Sequence, residues 1–364
     1  MPEPLIHMLA TTDAVGGVWT YALDLARALL PHGVVTTLAV LGPPLSAPQR
    51  AAASEIAGLR LVETGAELDW LAADEAAVAA AAGTIAALAA QSGAHLVQLN
   101  SPVLADLAAW PVPLLGVCHS CLATWWAAVQ HGPMPADFRW RSTLLARGYA
   151  ACDMLVAPTA AFADDTARIY GLRPMVVHNG AAPIEAPSSG LRPRCVLTGG
   201  RLWDEGKNFE TLDLAASLLD APLLAAGPLV APHGTMVTAH HSTALGQLSP
   251  VALRAQMERA PIFASLSIYE PFGLTVLEAA QSGCALVLSD IPTFRELWEE
   301  AAIFVPAPQA DAAASALQNL LDDPGELARL GAAAQARASR YTADAMAESM
   351  YALYRHLVPH RAAA

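Results

Sequence analysis

"SIYEPFGLTVLEAAQSGCALVLSD" occupies residues 267–290. It places Glu270 at the mouth of a Pro-Phe-Gly turn and Glu278 eight positions later, on the first turns of a helix that opens near Leu274. Residues 262–266, just upstream, read as a strand, and the apolar run from Ala285 reads as the next one. Strand, loop, helix, strand is the repeating unit of a parallel sheet, whose ligands lie beyond the carboxyl ends of the strands. At such an end Phe272, Gly273, Leu274 and Thr275 would offer unpaired backbone N–H groups, which suit an anion. Glu270 would accept hydrogen bonds from sugar hydroxyls, and Glu278 from the paired hydroxyls of a ribose. The alternative is a pair of surface or capping glutamates.

Outward from this stretch the same rhythm recurs. Strand-like runs fall at 59–62, 95–99, 113–117, 154–157 and 175–177, with helical stretches such as 75–90 and 137–149 between them. A Pro-, Gly- and Ser-rich segment, 179–194, has no apolar period and reads as a linker. The rhythm then restarts with strands at 195–198, 222–226, 262–264 and 285–288, and 310–358 is almost wholly helical in pattern. Two doubly wound α/β domains are expected, facing a cleft. A chain of 364 residues is of the length for two such domains.

Composition narrows the function. Acidic groups number 33 against 20 basic ones, a net charge of −13, which argues against a nucleic-acid partner. Apolar residues make up 54%, much of it alanine, yet no uninterrupted apolar run reaches the length of a membrane span. The opening Met-Pro-Glu-Pro has neither the basic region nor the apolar core of a signal peptide, so a cytoplasmic protein is expected. Five scattered cysteines give no disulfide framework. Cys118 and Cys121 stand at C-x-x-C spacing around His119, but no second such pair exists to complete a zinc site. They read as two small thiols flanking a histidine that matters more.

Three further places carry chemistry. Gly16 and Gly17 fall between the first strand and the first helix, where backbone approaches a ligand closely; without G-x-G-x-x-G spacing this is equally a tight turn. Arg201 and Lys207, in "GGRLWDEGKNFETL", follow the first strand of the second domain and precede a helix starting near Asn208. A guanidinium, an ammonium and a helix N-terminus together match a pyrophosphate. Lys207 is the only lysine among 20 basic residues, which sets it apart from an ordinary solvated charge. Trp125, Trp126, Phe138 and Trp140 crowd a loop–helix region after His119; they suit sugar rings, but core packing is the first expectation.

The E-x7-E arrangement of "EPFGLTVLE" resembles that of retaining glycosyltransferases of the GT-B type, family 4 (group 1). So do "GGRLWDEGKN", the glycine loop at Gly16-Gly17, "VVHNG" and the order of segments over nearly the whole chain. The resemblance implies GT-B architecture: an acceptor-binding Rossmann-like domain over 1–185, a nucleotide-sugar-binding one over 190–340, and a C-terminal helix, 341–364, returning to the first. It implies that Arg201 and Lys207 hold a diphosphate, Glu270 the donor sugar, Glu278 the ribose and Gly273–Thr275 the sugar and phosphate, with His119 beside the donor sugar. His119 and Glu270 would be catalytic, and a hexose would pass with retention from a nucleotide-diphosphate sugar to an unidentified hydroxyl acceptor. No cofactor and no metal are expected, since no two aspartates stand at Asp-x-Asp spacing. A nucleotide-sugar epimerase, a phosphorylase or a catalytically silent nucleotide-sugar-binding subunit would share the architecture.

Overall fold

The computed structural model describes residues 5–14, 16–184, 192–231 and 234–358. Part of the expected linker, 185–191, lies outside them. The chain divides into two compact units. One comprises Met1–Trp126, His131–Ala182 and Ala343–Ala364; the other comprises Ala127–Gln130 and Pro183–Thr342.

The first unit runs β1 (Ile6–Asp13), α1 (Gly17–Leu29), β2 (Val34–Leu41), α2 (Ala47–Ser54), β3 (Leu59–Glu63), α3 (Glu75–Ser92), β4 (Leu96–Leu99) and β5 (Leu114–Val117). It continues with α4 (Leu122–Val129), α5 (Ala136–Ala151), β6 (Met154–Ala157), α6 (Ala160–Tyr170) and β7 (Met175–Val176). The strands form one parallel sheet in the order β3-β2-β1-β4-β5-β6-β7. The order reverses between β1 and β4, so the crevice at their carboxyl ends is this sheet's natural ligand position.

The second unit contains β8 (Val196–Gly199), α7 (Phe209–Ala216), β9 (Leu223–Ala226), β10 (Thr243–Gly246), α8 (Pro250–Arg259), β11 (Ile262–Ser265) and α9 (Leu274–Gln281). After these come β12 (Ala285–Ser289), α10 (Pro292–Trp298), β13 (Ala302–Val305), α11 (Ala310–Asp322) and α12 (Pro324–Ala338). Its sheet is also parallel, in the order β10-β9-β8-β11-β12-β13, with the reversal between β8 and β11. Both units are thus doubly wound, with α-helices between most consecutive strands; β4–β5 and β9–β10 are the exceptions among the described residues. The last helix, α13 (Ala343–Leu357), packs on α1 and belongs to the first unit. Its Met346, Met350 and Tyr354 are buried in one core with Tyr21, Leu25 and Leu29 of α1.

Two strands, β10 and β13, were not legible in sequence. Both are edge strands, exposed or half-buried over most of their length, so neither carries a strong apolar run. By length and composition α3 is long and apolar enough to cross a membrane. In the structure Val78, Ala82, Ile85 and Ala89 on one side of it enter the core of the first unit.

Candidate active site

In the second unit the chemistry gathers at the β8/β11 reversal. After β8 the chain makes a close turn. Gly200 and Gly227 both have φ near +145°, and a Cβ on Gly227 would stand 1.8 Å from the Gly200 carbonyl oxygen, so no side chain fits there. Asp204 accepts a hydrogen bond from the Gly206 N–H (2.9 Å) and closes a short 3-10 turn that ends on Lys207. Asn208 follows in the left-handed region, φ 53°, and its side-chain amide donates to the carbonyls of Leu266 (3.1 Å) and Ala307 (2.7 Å). From the other side, Ile268 N–H donates to the Gly206 carbonyl at 2.9 Å. The loop after β8 is therefore stitched to the loop after β11.

That stitching brings Lys207 onto Glu270. The ammonium donates to the carboxylate in a short ion pair, with the two side chains only 21% and 14% exposed. Arg201 lies on the same loop. It is exposed, bonds to Asp204 at 3.1 Å and stands 5.8 Å over the Trp203 ring. Beyond Glu270 the turn ends at Gly273, φ 92°, which caps α9 without a side chain. A Cβ there would meet Phe294 at 3.2 Å and Glu270 at 3.4 Å. The first N–H groups of α9, at Leu274 and Thr275, precede its first intrahelical bond, Leu277 N–H to Gly273. Phe272 is buried and packs edge-on against Tyr341 (5.9 Å), so only its backbone is available to a ligand. Glu278 sits half-buried on α9 about one turn further along.

In the first unit Gly16 and Gly17 are exposed and open α1 immediately after β1. His119 follows β5. Its Nε2 is 3.0 Å from Asn100 Oδ1, and the Tyr21 ring of α1 meets it edge-on at 4.6 Å. The ring keeps some solvent access, yet the protein crowding it lowers its pKa from 6.5 to about 4, so it is neutral near pH 7. The thiol of Cys118 is buried, which pushes it up to about 12. Cys121 bonds within the fold, to Thr124 (3.0 Å) and the Tyr170 hydroxyl (3.2 Å).

The aromatic cluster is half-buried at Trp125, Trp126, Phe138 and Trp140, and Trp140 packs against the core around Leu104 and Leu144, in line with the packing expectation. Trp126 meets Phe138 edge-to-face at 5.6 Å and donates to the Gly132 carbonyl, while Arg141 stacks on Trp140 at 4.3 Å. Sequence reasoning also missed Asn208, which joins the two loops, and Gln98 and Asn100 beside His119. The signal for the last two was present: two amides alternate at the end of an otherwise apolar strand, "HLVQLN".

Residues 15–183 match the family model described as Glycosyltransferase Family 4, and residues 236–337 match Glycosyl transferases group 1. The two together cover well over half of the chain. Glycogen synthase of Mycobacterium tuberculosis (strain H37Rv) is 27% identical over 263 residues, 67% of this chain; that alignment spans 63% of the relative's length. Phosphatidyl-myo-inositol mannosyltransferase of Mycolicibacterium smegmatis (strain mc(2)155) is 30% identical over 119 residues, 32% of this chain and 31% of the relative. Among solved structures, sucrose-phosphate synthase from Thermosynechococcus elongatus superposes with a TM-score of 0.76 at 19% identity, covering 97% of this chain and 99% of that one. Anabaena HepE, in complex with UDP-glucose, gives 0.72 at 17% identity over 97% of this chain and 100% of that one.

Proposed function

We propose, from the premise that this chain belongs to the family 4 (group 1) glycosyltransferases, that it moves a hexose from a nucleoside-diphosphate sugar to a hydroxyl acceptor, with retention and without a metal. The observation that carries this reading is the Lys207–Glu270 pair at the β8/β11 reversal, beside the open N-terminus of α9. A nucleotide sugar presents an anionic diphosphate directly joined to a hydroxylated ring. A cation and a carboxylate acceptor in contact, next to unpaired N–H groups, complement that junction in the same order.

The leaving group of such a transfer is a nucleoside diphosphate, which needs its growing negative charge stabilised more than it needs a proton. Lys207, Arg201 and the N–H groups of Leu274 and Thr275 would supply that stabilisation as fixed positive groups in place of a metal ion. Arg201 is exposed and lightly tethered, so it can turn onto a phosphate at little cost. Glu270 would orient the sugar through its hydroxyls, and Glu278 would hold the ribose. His119, being neutral, would serve the sugar as a hydrogen-bond partner rather than as a cation. The UDP-glucose bound to HepE supports a nucleotide sugar as the donor class.

The test is a screen of UDP-, GDP- and ADP-sugars for release of the nucleoside diphosphate, with and without saccharide, small-molecule and lipid-linked acceptors. Acceptor-dependent release with the sugar recovered on the acceptor is expected. Epimerised donor, or sugar phosphate formed from inorganic phosphate, would replace this reading with the epimerase or the phosphorylase.

A further inference from the structure

Behind His119, wholly within the first unit, lies a chain of buried and half-buried polar groups that ends on the last helix. His119 Nε2 stands 3.0 Å from Asn100 Oδ1. The same oxygen accepts from Gln98 Nε2 at 3.3 Å. Gln98 is fully buried, and its Oε1 accepts a short hydrogen bond from the hydroxyl of Tyr354 on α13, also fully buried. Tyr21, whose ring packs on His119, hydrogen-bonds to Gln98 as well. Residues from β4, α1 and α13, far apart in sequence, thus meet behind one imidazole.

The polarity of this chain is fixed at one point. Asn100 Nδ2 lies 2.7 Å from the backbone carbonyl of Thr11, which can only accept. The amide nitrogen must therefore face Thr11, and the amide oxygen must face Gln98 and His119. Turning Asn100 over would set oxygen against oxygen at Thr11 and nitrogen against nitrogen at Gln98. Turning Gln98 over would set its oxygen against that of Asn100. An amide oxygen is only an acceptor, so the imidazole nitrogen next to it has to carry the hydrogen.

We propose that Asn100, whose oxygen the Thr11 carbonyl turns toward His119, is a positioning residue that holds His119 as its Nε2–H tautomer, leaving Nδ1 as a bare hydrogen-bond acceptor. Resting on the proposed transfer reaction, this assigns His119 the part of accepting a hydrogen bond from a sugar hydroxyl at Nδ1. The choice of tautomer by a partner on the second ring nitrogen is a general property of histidine sites.

The test is nitrogen-15 NMR of full-length protein labelled at histidine, with the His119 signals assigned by their loss in His119→Gln. The wild type is expected to show a protonated Nε2 and a bare Nδ1 near neutral pH. Asn100→Leu should release the ring into a mixture of tautomers. Should Asn100→Leu fail to fold, the smaller Asn100→Ala removes the same oxygen; it should likewise mix the tautomers and lower kcat about five- to tenfold, with the donor KM little changed. A wild-type His119 protonated at Nδ1 overturns the proposal, as does an unchanged tautomer in Asn100→Leu. A shifted tautomer with wild-type kcat overturns its service to the reaction. Because the tautomer is read without substrate, a protein with no transfer activity at all would sink the proposed reaction and leave the NMR result to decide the relay.

Discussion

Lys207 and Glu270 carry opposite charges at one point, and each has a different proposed partner in the donor. A diphosphate has to draw the ammonium from a carboxylate that it already touches. Neutralising that carboxylate removes the competition, so Glu270→Gln is expected to bind a nucleoside diphosphate at least as tightly as the wild type. Its turnover should fall about ten- to a hundredfold, because the sugar hydroxyls lose a charged acceptor. Glu278→Gln should weaken nucleotide binding more than Glu270→Gln does. Calorimetry with the free nucleoside diphosphate decides the order, and the reverse order would contradict both assignments. His119 makes a separate prediction. Its pKa is about 4 in the folded chain and about 6.5 in the unfolded one. Between those values the unfolded chain takes up a proton that the folded chain refuses. This contribution to stability is complete above about pH 6.5 and is lost as the pH falls toward 4. His7, also lowered chiefly by burial, acts in the same direction. Thermal unfolding across that window should show a shallower pH slope for His119→Gln than for the wild type. Equal slopes would mean that His119 is not held neutral by the fold.

Among the elements, α9 is the clearest case of sequence deciding structure. The stretch "PFGLTVLEAAQ" predicts a turn at Gly273 and a helix from Leu274, and α9 runs Leu274–Gln281 behind a glycine at φ 92°. Strand β6, at Met154–Ala157, is likewise where the apolar run places it. These segments are legible because each writes an apolar run beside a turn residue, a glycine before α9 and a short bounded run at β6. What escaped reading was long-range. No local pattern states that the Asn208 amide will reach Leu266 and Ala307, or that Tyr354 will meet Gln98, 256 positions away. The helix α13 shows the consequence. Its stripe of Met346, Met350 and Tyr354 marks an apolar face in sequence, while the partner of that face, α1, is known only from the fold. Truncation after Arg340 would remove Met346, Met350 and Tyr354, each 0–2% exposed, and open the core on α1. Loss of soluble expression or of activity is expected. A fully active truncate, judged by donor turnover and melting temperature, would show α13 to be dispensable.

At the scale of the molecule, two parallel sheets each reverse their order beside the loops that hold the candidate residues. The class of fold was legible from the strand–helix rhythm and its restart after the linker. The separate positions of Gly16, His119, Lys207 and Glu270 were legible as loops at strand ends. Their contacts were not, because contact depends on which strands become neighbours. In a chain with net charge −13, the proposed diphosphate site needs its few cations placed with care. If fixed groups do this work, EDTA should leave turnover intact, and a strict Mg²⁺ or Mn²⁺ requirement for the chemical step would contradict that. The role of Lys207 can be read directly, because the sequence contains a single lysine. An amine-directed reagent can meet only Lys207 and the N-terminal amine, so the modified position can be read by mass spectrometry while donor turnover is followed. Inactivation is expected to follow modification of Lys207, with protection by the cognate nucleoside diphosphate but not by free sugar. Complete modification of Lys207 with transfer activity retained would contradict that role.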